Sequence, residues 1–379
     1  MNSVLSEIVR LRKGGPFMID YENSNRYRLI GVENNGTRTA YCFGVPVYNS
    51  QTRKMVDLRF RQDPQRSNVF YTDGSSARIT LAQDILLEGS ETTCRISLPD
   101  GIFHPEGRGL KCAPFEIFPT TNGVLCKAEC SRGQTREFTL TVGRAFMNVR
   151  ANDRYFALMS EEYRPFVTVS CLGTADNGGR ILSPASIGYR KDNDQKYTLQ
   201  ISPQSPVGKY VLYEINLHEP KLFQDTTVES KNPQVNNAFG GTAFLGNTAS
   251  YGEQWLYLRP DFSRIPEMLD KWIVRAILHF PKFDANGVSL SAFRVAGRFC
   301  SFGSNWDNKI AMAESIADST AVAGYQSIDV TRLVTDAKTK YLTRSEGLIL
   351  KTRAKGSGFT AIATGDSYYA PPVFEINFR

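Results

Sequence analysis

Arg136-Glu137-Phe138-Thr139-Leu140-Thr141-Val142 decides the fold class, because from Glu137 onward polar and apolar residues alternate strictly. Lys196-Tyr197-Thr198-Leu199-Gln200-Ile201 repeats the pattern, and Pro165-Phe166-Val167-Thr168-Val169-Ser170-Cys171 is β-branched and half apolar. Further along, Leu212, Glu214 and Asn216 alternate with Tyr213, Ile215 and Leu217. A period of two sends one face of a strand to a core and the other to water, as antiparallel sandwiches require. Turn signals punctuate these runs: Asn34-Asn35-Gly36, Asp73-Gly74, Asp100-Gly101, Asn122-Gly123, Asn177-Gly178-Gly179 and Asn286-Gly287. Strands broken this often predict an all-β chain of two or three antiparallel sandwich or jelly-roll-like domains with few short helices.

The 379 residues exceed what one core can organise, so more than one domain is expected. With 41% hydrophobic and 22% charged residues the chain is of ordinary globular composition, and its 17 Tyr and 23 Phe favour strands. The net charge of +7 is spread thinly. Lys and Arg against Asp and Glu number 20 to 15 over 1–150, 9 to 10 over 151–250 and 16 to 13 over 251–379. A nucleic-acid binder gathers its charge on one face, so no nucleic-acid partner is expected despite the basic run Arg10-Leu11-Arg12-Lys13.

Seven cysteines at 42, 94, 112, 126, 130, 171 and 300 form an odd, irregular set, which argues for reduced strand cysteines over a disulfide framework. Cys112, Cys126 and Cys130 have only His104 nearby, and no zinc spacing results, so neither metal nor cofactor is expected. The first ten residues have no basic-then-apolar leader, and no apolar run is long enough to span a membrane. The expectation is a chain made in the cytoplasm without a signal peptide or membrane insertion, leaving by another route or by lysis.

Val4, Leu5, Ile8, Val9 and Leu11 have helical spacing behind Ser3, which predicts a short helix that packs locally or docks on a neighbouring subunit. The stretch 225–241 is rich in Asn and Gly without an apolar period, and reads as an ordered connector or functional loop. All three tryptophans follow it. These shifts place domains at 1–150, 151–250 and 251–379, with the first two open to being one.

After residue 250 the elements come in a specific order. Trp255–Leu258, Ile273–Phe280 and Val288–Val295 read as strands, and Asn305-Trp306-Asp307-Asn308 follows in a polar stretch. Ser327-Ile328-Asp329-Val330-Thr331 opens a helix with apolar Val330, Leu333, Val334, Ala337 and Tyr341. Gly347–Leu350, Phe359–Ile362 and Pro372–Phe378 close the chain as strands. This order resembles the DNRLRE (disaggregatase-related) family of β-sandwich modules over roughly 130 residues of the chain, carried by Asp329-Val330-Thr331, the Trp-Asp-Asn element and the final Pro-x-Phe-x-Ile strand. Family members usually carry more tryptophans ahead of the Asp-Val-Thr motif, whereas here Trp306 stands alone. The resemblance implies a jelly-roll-like sandwich of the kind found in large adhesive or particle-associated proteins and some polysaccharide-binding modules. Physically, Asp329 and Thr331 read as a structural helix cap. Trp306, with Asp307 and Asn308, is the candidate ligand-binding element, a sugar stacking on the ring being the functional alternative to a packing role.

Signals for catalysis are sparse. His104, His218 and His279 are the three histidines, the last two in strand-like runs and the first in a loop. No nucleophile elbow, zinc helix or phosphate loop occurs. Asp192 and Asp194 lack the glycine and distal glutamate of a calcium loop and read as a hairpin tip. Adjacent Glu161 and Glu162 would face opposite sides of a strand. Glu219, Asp225 and Glu229 form the best acidic group, read as lying in a loop near a domain junction, with cation binding or sugar hydrolysis as alternatives to structural hydrogen bonding.

The reading that joins these features is a non-catalytic structural or attachment protein of a phage, phage-like particle or bacterial surface. It would form homo-oligomers or join other particle subunits, and would bind cell-surface polysaccharide. The alternatives are a stand-alone carbohydrate-binding protein and a polysaccharide-degrading enzyme with its site in 1–250.

Overall fold

The computed structural model describes residues 8–379 except 10, 13–16, 45–46, 57–59, 73–76, 81–83, 90, 99–102, 108, 121–122, 131–132, 147, 161–164, 180, 218–221, 263–264, 266–270, 298, 323, 340–346, 354–355, 357 and 368–370. Strands dominate, all ladders are antiparallel, and Thr331–Thr339 is the one named α-helix among the described residues. The chain divides into two units, one inserted in the other: Met1–Val56 joins Lys221–Arg379, and Asp57–Pro220 forms the second.

In the discontinuous unit, one sheet runs Met18–Asn25, Arg28–Val32, Arg38–Phe43, Val373–Phe378, Ile273–Pro281, Tyr325–Asp329, Thr320–Val322. The other runs Met312–Asp318, Leu290–Val295, Leu348–Thr352, Gly252–Pro260, Thr242–Thr248, Phe359–Ala363, with Phe223–Glu229 also pairing Gly252–Pro260. Alternation explains the core. Ala40, Ala276, Leu278, Phe374 and Ile376 from the first sheet meet Leu256, Leu258, Leu290, Leu348 and Leu350 from the second. This is a β-sandwich.

The outer face of the first sheet is also covered. Ile8 and Leu11, on a helical stretch in which the Arg12 N–H donates to the Ile8 carbonyl at 3.0 Å, pack with Leu29, Tyr41, Phe43, Tyr48 and Val373. The described part of the N-terminal helix is therefore a local packing element; residues 1–7 lie outside the described set.

In the inserted unit, an eight-stranded sheet runs from Ala185–Lys191 through Lys196–Pro203, Arg136–Val142 and Thr93–Ser97 to Arg61–Gln62. A nine-stranded sheet runs from His104–Glu106 through Gly123–Glu129, Tyr210–Leu217 and Pro165–Ala175 to Asn148–Ala151. Phe138, Leu140, Tyr197 and Leu199 of one meet Cys126, Tyr213, Ile215 and Val169 of the other in a single core. Pro165–Ala175 is buried along its whole length, and Val211–Leu217 likewise, so the half-exposed pattern expected for them does not hold. His104 sits in a short exposed strand rather than a loop.

The domain limits differ from those expected. Residue 150 lies within the strand Asn148–Ala151 of the inserted unit, and residue 250 lies in the turn between paired strands Thr242–Thr248 and Gly252–Pro260. The seams fall at 56/57 and 220/221, and residues 251–379 supply only part of a sandwich. Neither seam is marked by the composition shift that set the expected limits, since the polar stretch 225–241 lies inside the discontinuous unit.

The helix begins as expected in kind but not in detail. The Val334 N–H donates to the Val330 carbonyl at 3.0 Å, so Val330 occupies the cap position. Asp329 Oδ1 accepts from the Thr331 N–H at 3.0 Å and from the Thr331 hydroxyl at 2.6 Å. The Ala276 N–H donates to Thr331 Oγ1 at 2.9 Å, which ties the helix start to the sheet. Val330, Leu333, Val334 and Ala337 are buried, while Tyr341 lies outside the described residues.

Candidate functional site

The second sheet of the discontinuous unit turns Leu256, Leu258, Leu348 and Leu350 inward, so Trp255, Tyr257, Ile349 and Lys351 point outward. On that outer face Tyr257, Val228, Val295, Phe299 and Ile349 form a small apolar cluster, flanked by half-buried Trp255, Phe293, Trp306, Ile310 and Met312. The segment 299–311 contributes Phe299, Trp306 and Ile310 to the cluster. Tyr257 hydroxyl donates to the Ile310 carbonyl at 2.6 Å, and the Tyr257 and Phe299 rings sit 5.6 Å apart. Burial pushes the Tyr257 hydroxyl well above its usual pKa, which keeps it a neutral donor.

This segment brings Trp306 to Trp255, ring centroids 5.2 Å apart at 55°. Lys309 Nζ stands 4.2 Å from the Trp306 centroid and 5.7 Å from that of Trp255. Lys351 Nζ stands 5.4 Å from Trp255 and 5.5 Å from Phe293. The Trp255 indole N–H donates to Glu253 Oε1 at 2.8 Å, and Lys309 Nζ donates to the Trp306 carbonyl at 3.0 Å. Aromatic faces with ammonium groups on them thus form a platform on one sheet face. Such a surface can stack against a sugar ring and donate hydrogen bonds beside it.

Of the candidate triplet, only Trp306 joins this platform through its ring. Asn308 is a brace: its Oδ1 accepts from the Asn305 N–H at 2.7 Å, its own N–H donates to Asn305 Oδ1 at 3.0 Å, and its Nδ2 donates to the Gly303 carbonyl at 2.9 Å. Asp307 is exposed, and its N–H donates to the Pro233 carbonyl at 3.1 Å. Trp255, Phe293 and Lys351 escaped sequence reasoning because they sit on three strands far apart in the chain, whereas Lys309 directly follows the candidate element and carried no signal of its own. The outward period of Trp255 and Tyr257 was the available signal.

The acidic group is not a loop. Phe223–Glu229 is a strand, buried at every position but Gln224, and Glu219 lies outside the described residues. Asp225 Oδ2 accepts from the Gly365 N–H at 2.7 Å. A side chain at 365 would bring its Cβ within 2.8 Å of Phe223 Cβ, so glycine permits this approach. Glu229 is fully buried; Oε1 accepts from Asn232 Nδ2 at 2.7 Å, and Oε2 from Gln254 Nε2 at 2.8 Å and Asn237 Nδ2 at 3.2 Å. Asn237 also bridges back to Thr227, so the stretch after the strand folds along its edge. These carboxylates organise the interior. Among the described residues no three His, Cys, Asp or Glu side chains cluster as metal ligands. No described helix is long and apolar enough to cross a membrane.

One further polar chain has the order of a nucleophilic triad. His279 Nδ1 and Ser327 Oγ are 2.8 Å apart, and His279 Nε2 lies 3.0 Å from Glu375 Oε2. The histidine was read as a strand residue, and so it is; adjacent strands Tyr325–Asp329 and Val373–Phe378 deliver its partners. Ser327 and His279 are buried, at 6% and 4% exposure, so the chain braces the sheet's outer face. No protein-family model and no curated protein matches the sequence.

Proposed function

We propose that the chain is a non-catalytic attachment protein of a phage, a phage-like particle or a bacterial surface, which assembles with copies of itself and holds surface glycans on the Trp255–Trp306 platform. The observation that carries this reading is the pairing of two half-buried tryptophans, 5.2 Å apart, with two lysine ammonium groups over aromatic rings on one sheet face. Paired indoles offer large apolar area at little entropic cost, and sugars present C–H faces and hydroxyls that match such a surface. The resemblance of the last third to DNRLRE modules points the same way. Trp272, 75% exposed beside Val274, is the apolar feature best suited to a second subunit.

A panel of surface polysaccharides tested against the full chain, with light scattering on the same sample, examines both halves. Binding that is lost in Trp306→Ala, in a particle larger than a monomer, is the expected result. A monomer that binds no glycan contradicts it.

A further inference from the structure

We infer that Asn236 is the positioning residue of the platform: its side-chain amide fixes the loop that holds the Trp306 ring against Trp255. Its effect on glycan binding rests on the attachment reading; its effect on the two rings does not.

The loop 299–311 that carries Trp306 contains no strand or helix, so other contacts must set its course. Tyr257 ties its far end through the Ile310 carbonyl. The rest is held by the polar stretch 232–237. Asn236 Nδ2 donates to the Ser301 carbonyl at 2.6 Å and to the Ser304 carbonyl at 2.7 Å. Thr226 Oγ1, on the strand Phe223–Glu229, lies 3.4 Å from the same nitrogen. Asn236 Oδ1 accepts from the Ala238 N–H at 3.2 Å, which turns the nitrogen toward the loop. A primary amide has two N–H donors, and its two shortest contacts here go to two carbonyls of one loop. The Asp307 N–H donates to the Pro233 carbonyl at 3.1 Å. The stretch therefore grips the chain at Ser304 and at Asp307, on either side of Trp306.

A buried charge fixes the stretch in turn. Asn232 and Asn237 stand at its two ends and donate to the two oxygens of Glu229, at 2.7 and 3.2 Å, and Glu229 is fully buried. Ser301 and Ser304 are themselves buried, so a carbonyl that loses its donor there regains one only if the loop shifts toward water. Asn236 thus acts through the loop backbone, and Trp306 supplies the contact with the ligand.

The test uses the full chain in the Trp272→Phe background, where Trp255 and Trp306 are the two indoles left. Indoles 5.2 Å apart and tilted by 55° couple excitonically, which gives paired circular-dichroism bands of opposite sign. Trp306→Ala sets the zero of that signal. Asn236→Asp keeps the side-chain shape but puts acceptors where donors stood. It should lose most of the couplet, keep a cooperative urea transition, and bind purified capsular and O-chain polysaccharides about tenfold more weakly. Asn236→Ser reads the same loss if the Asp variant does not fold. A couplet of full size in these variants overturns the assignment, as does a lost couplet with polysaccharide binding unchanged. A parent chain that binds no polysaccharide, with the couplet lost in the variants, contradicts glycan attachment and leaves the ring placement standing.

Discussion

Ala40 and Ile376 face each other across paired strands Arg38–Phe43 and Val373–Phe378, so the first strands of the chain and the last share one sheet and one core. A sandwich closed in this way needs both ends of its sequence, and the inserted unit leaves and re-enters it at two seams.

It follows that residues 57–220 alone should unfold in one cooperative urea transition, as should 1–56 joined to 221–379 by a short Gly/Ser linker. Residues 251–379 alone should not fold. They lack Ile30, Ala40, Cys42, Phe223, Ala243 and Leu245 of the core. Near-UV circular dichroism distinguishes the three chains.

Glu229→Ala removes the acceptor for amide groups of Asn232, Asn237 and Gln254. Donors left unsatisfied in a buried site cost about 1–3 kcal/mol each. The expected result is a loss of at least about 2 kcal/mol of stability in urea denaturation, with Glu229→Gln also destabilised because its amide faces donors.

Asp329 ties stability to acid. Burial works to raise its carboxyl, but hydrogen bonds from Thr331 and Arg275 outweigh this and hold the group below its ordinary value of 3.8. A depressed folded value means the contribution is fully present above that pH and is lost as pH falls through the lower folded value. Asp329→Ala should cost about 1 kcal/mol at pH 7 through loss of the hydrogen bonds it accepts from Thr331, and the gap from wild type should narrow in acid. Melting temperatures measured from pH 7 to pH 3 read this directly.

Thiol chemistry should pick out one cysteine. Cys300 is exposed, and the other six are buried. Burial pushes Cys94, Cys126 and Cys171 up to about 12, which leaves almost no thiolate at neutral pH. Ellman's reagent at pH 8 should titrate one thiol rapidly in the native protein and all seven in urea.

Where local periodicity and tertiary demand agreed, the sequence was readable. Arg136–Val142 is a strand over the range its alternation implies, and Asn34-Asn35-Gly36 makes its turn with Gly36 at φ 80°. Leu333, Val334 and Ala337 bury the face their spacing implies. The failures share a cause. Asp225 and Glu229 are charged residues in buried strand positions, satisfied by the Gly365 N–H and by the Gln254 and Asn237 amides, so no apolar period marked the strand. Trp306 was visible as a candidate, whereas its neighbours Trp255, Phe293 and Lys351 are joined to it only by sheet register and a covering loop.

The most direct test uses the tryptophans themselves. In Trp272→Phe the only indoles left are Trp255 and Trp306, both on the platform. Addition of bacterial surface polysaccharide should shift their fluorescence saturably, and Trp306→Ala in the same background should abolish the saturable change. A flat titration in Trp272→Phe, or an identical one without Trp306, would contradict attachment through this face.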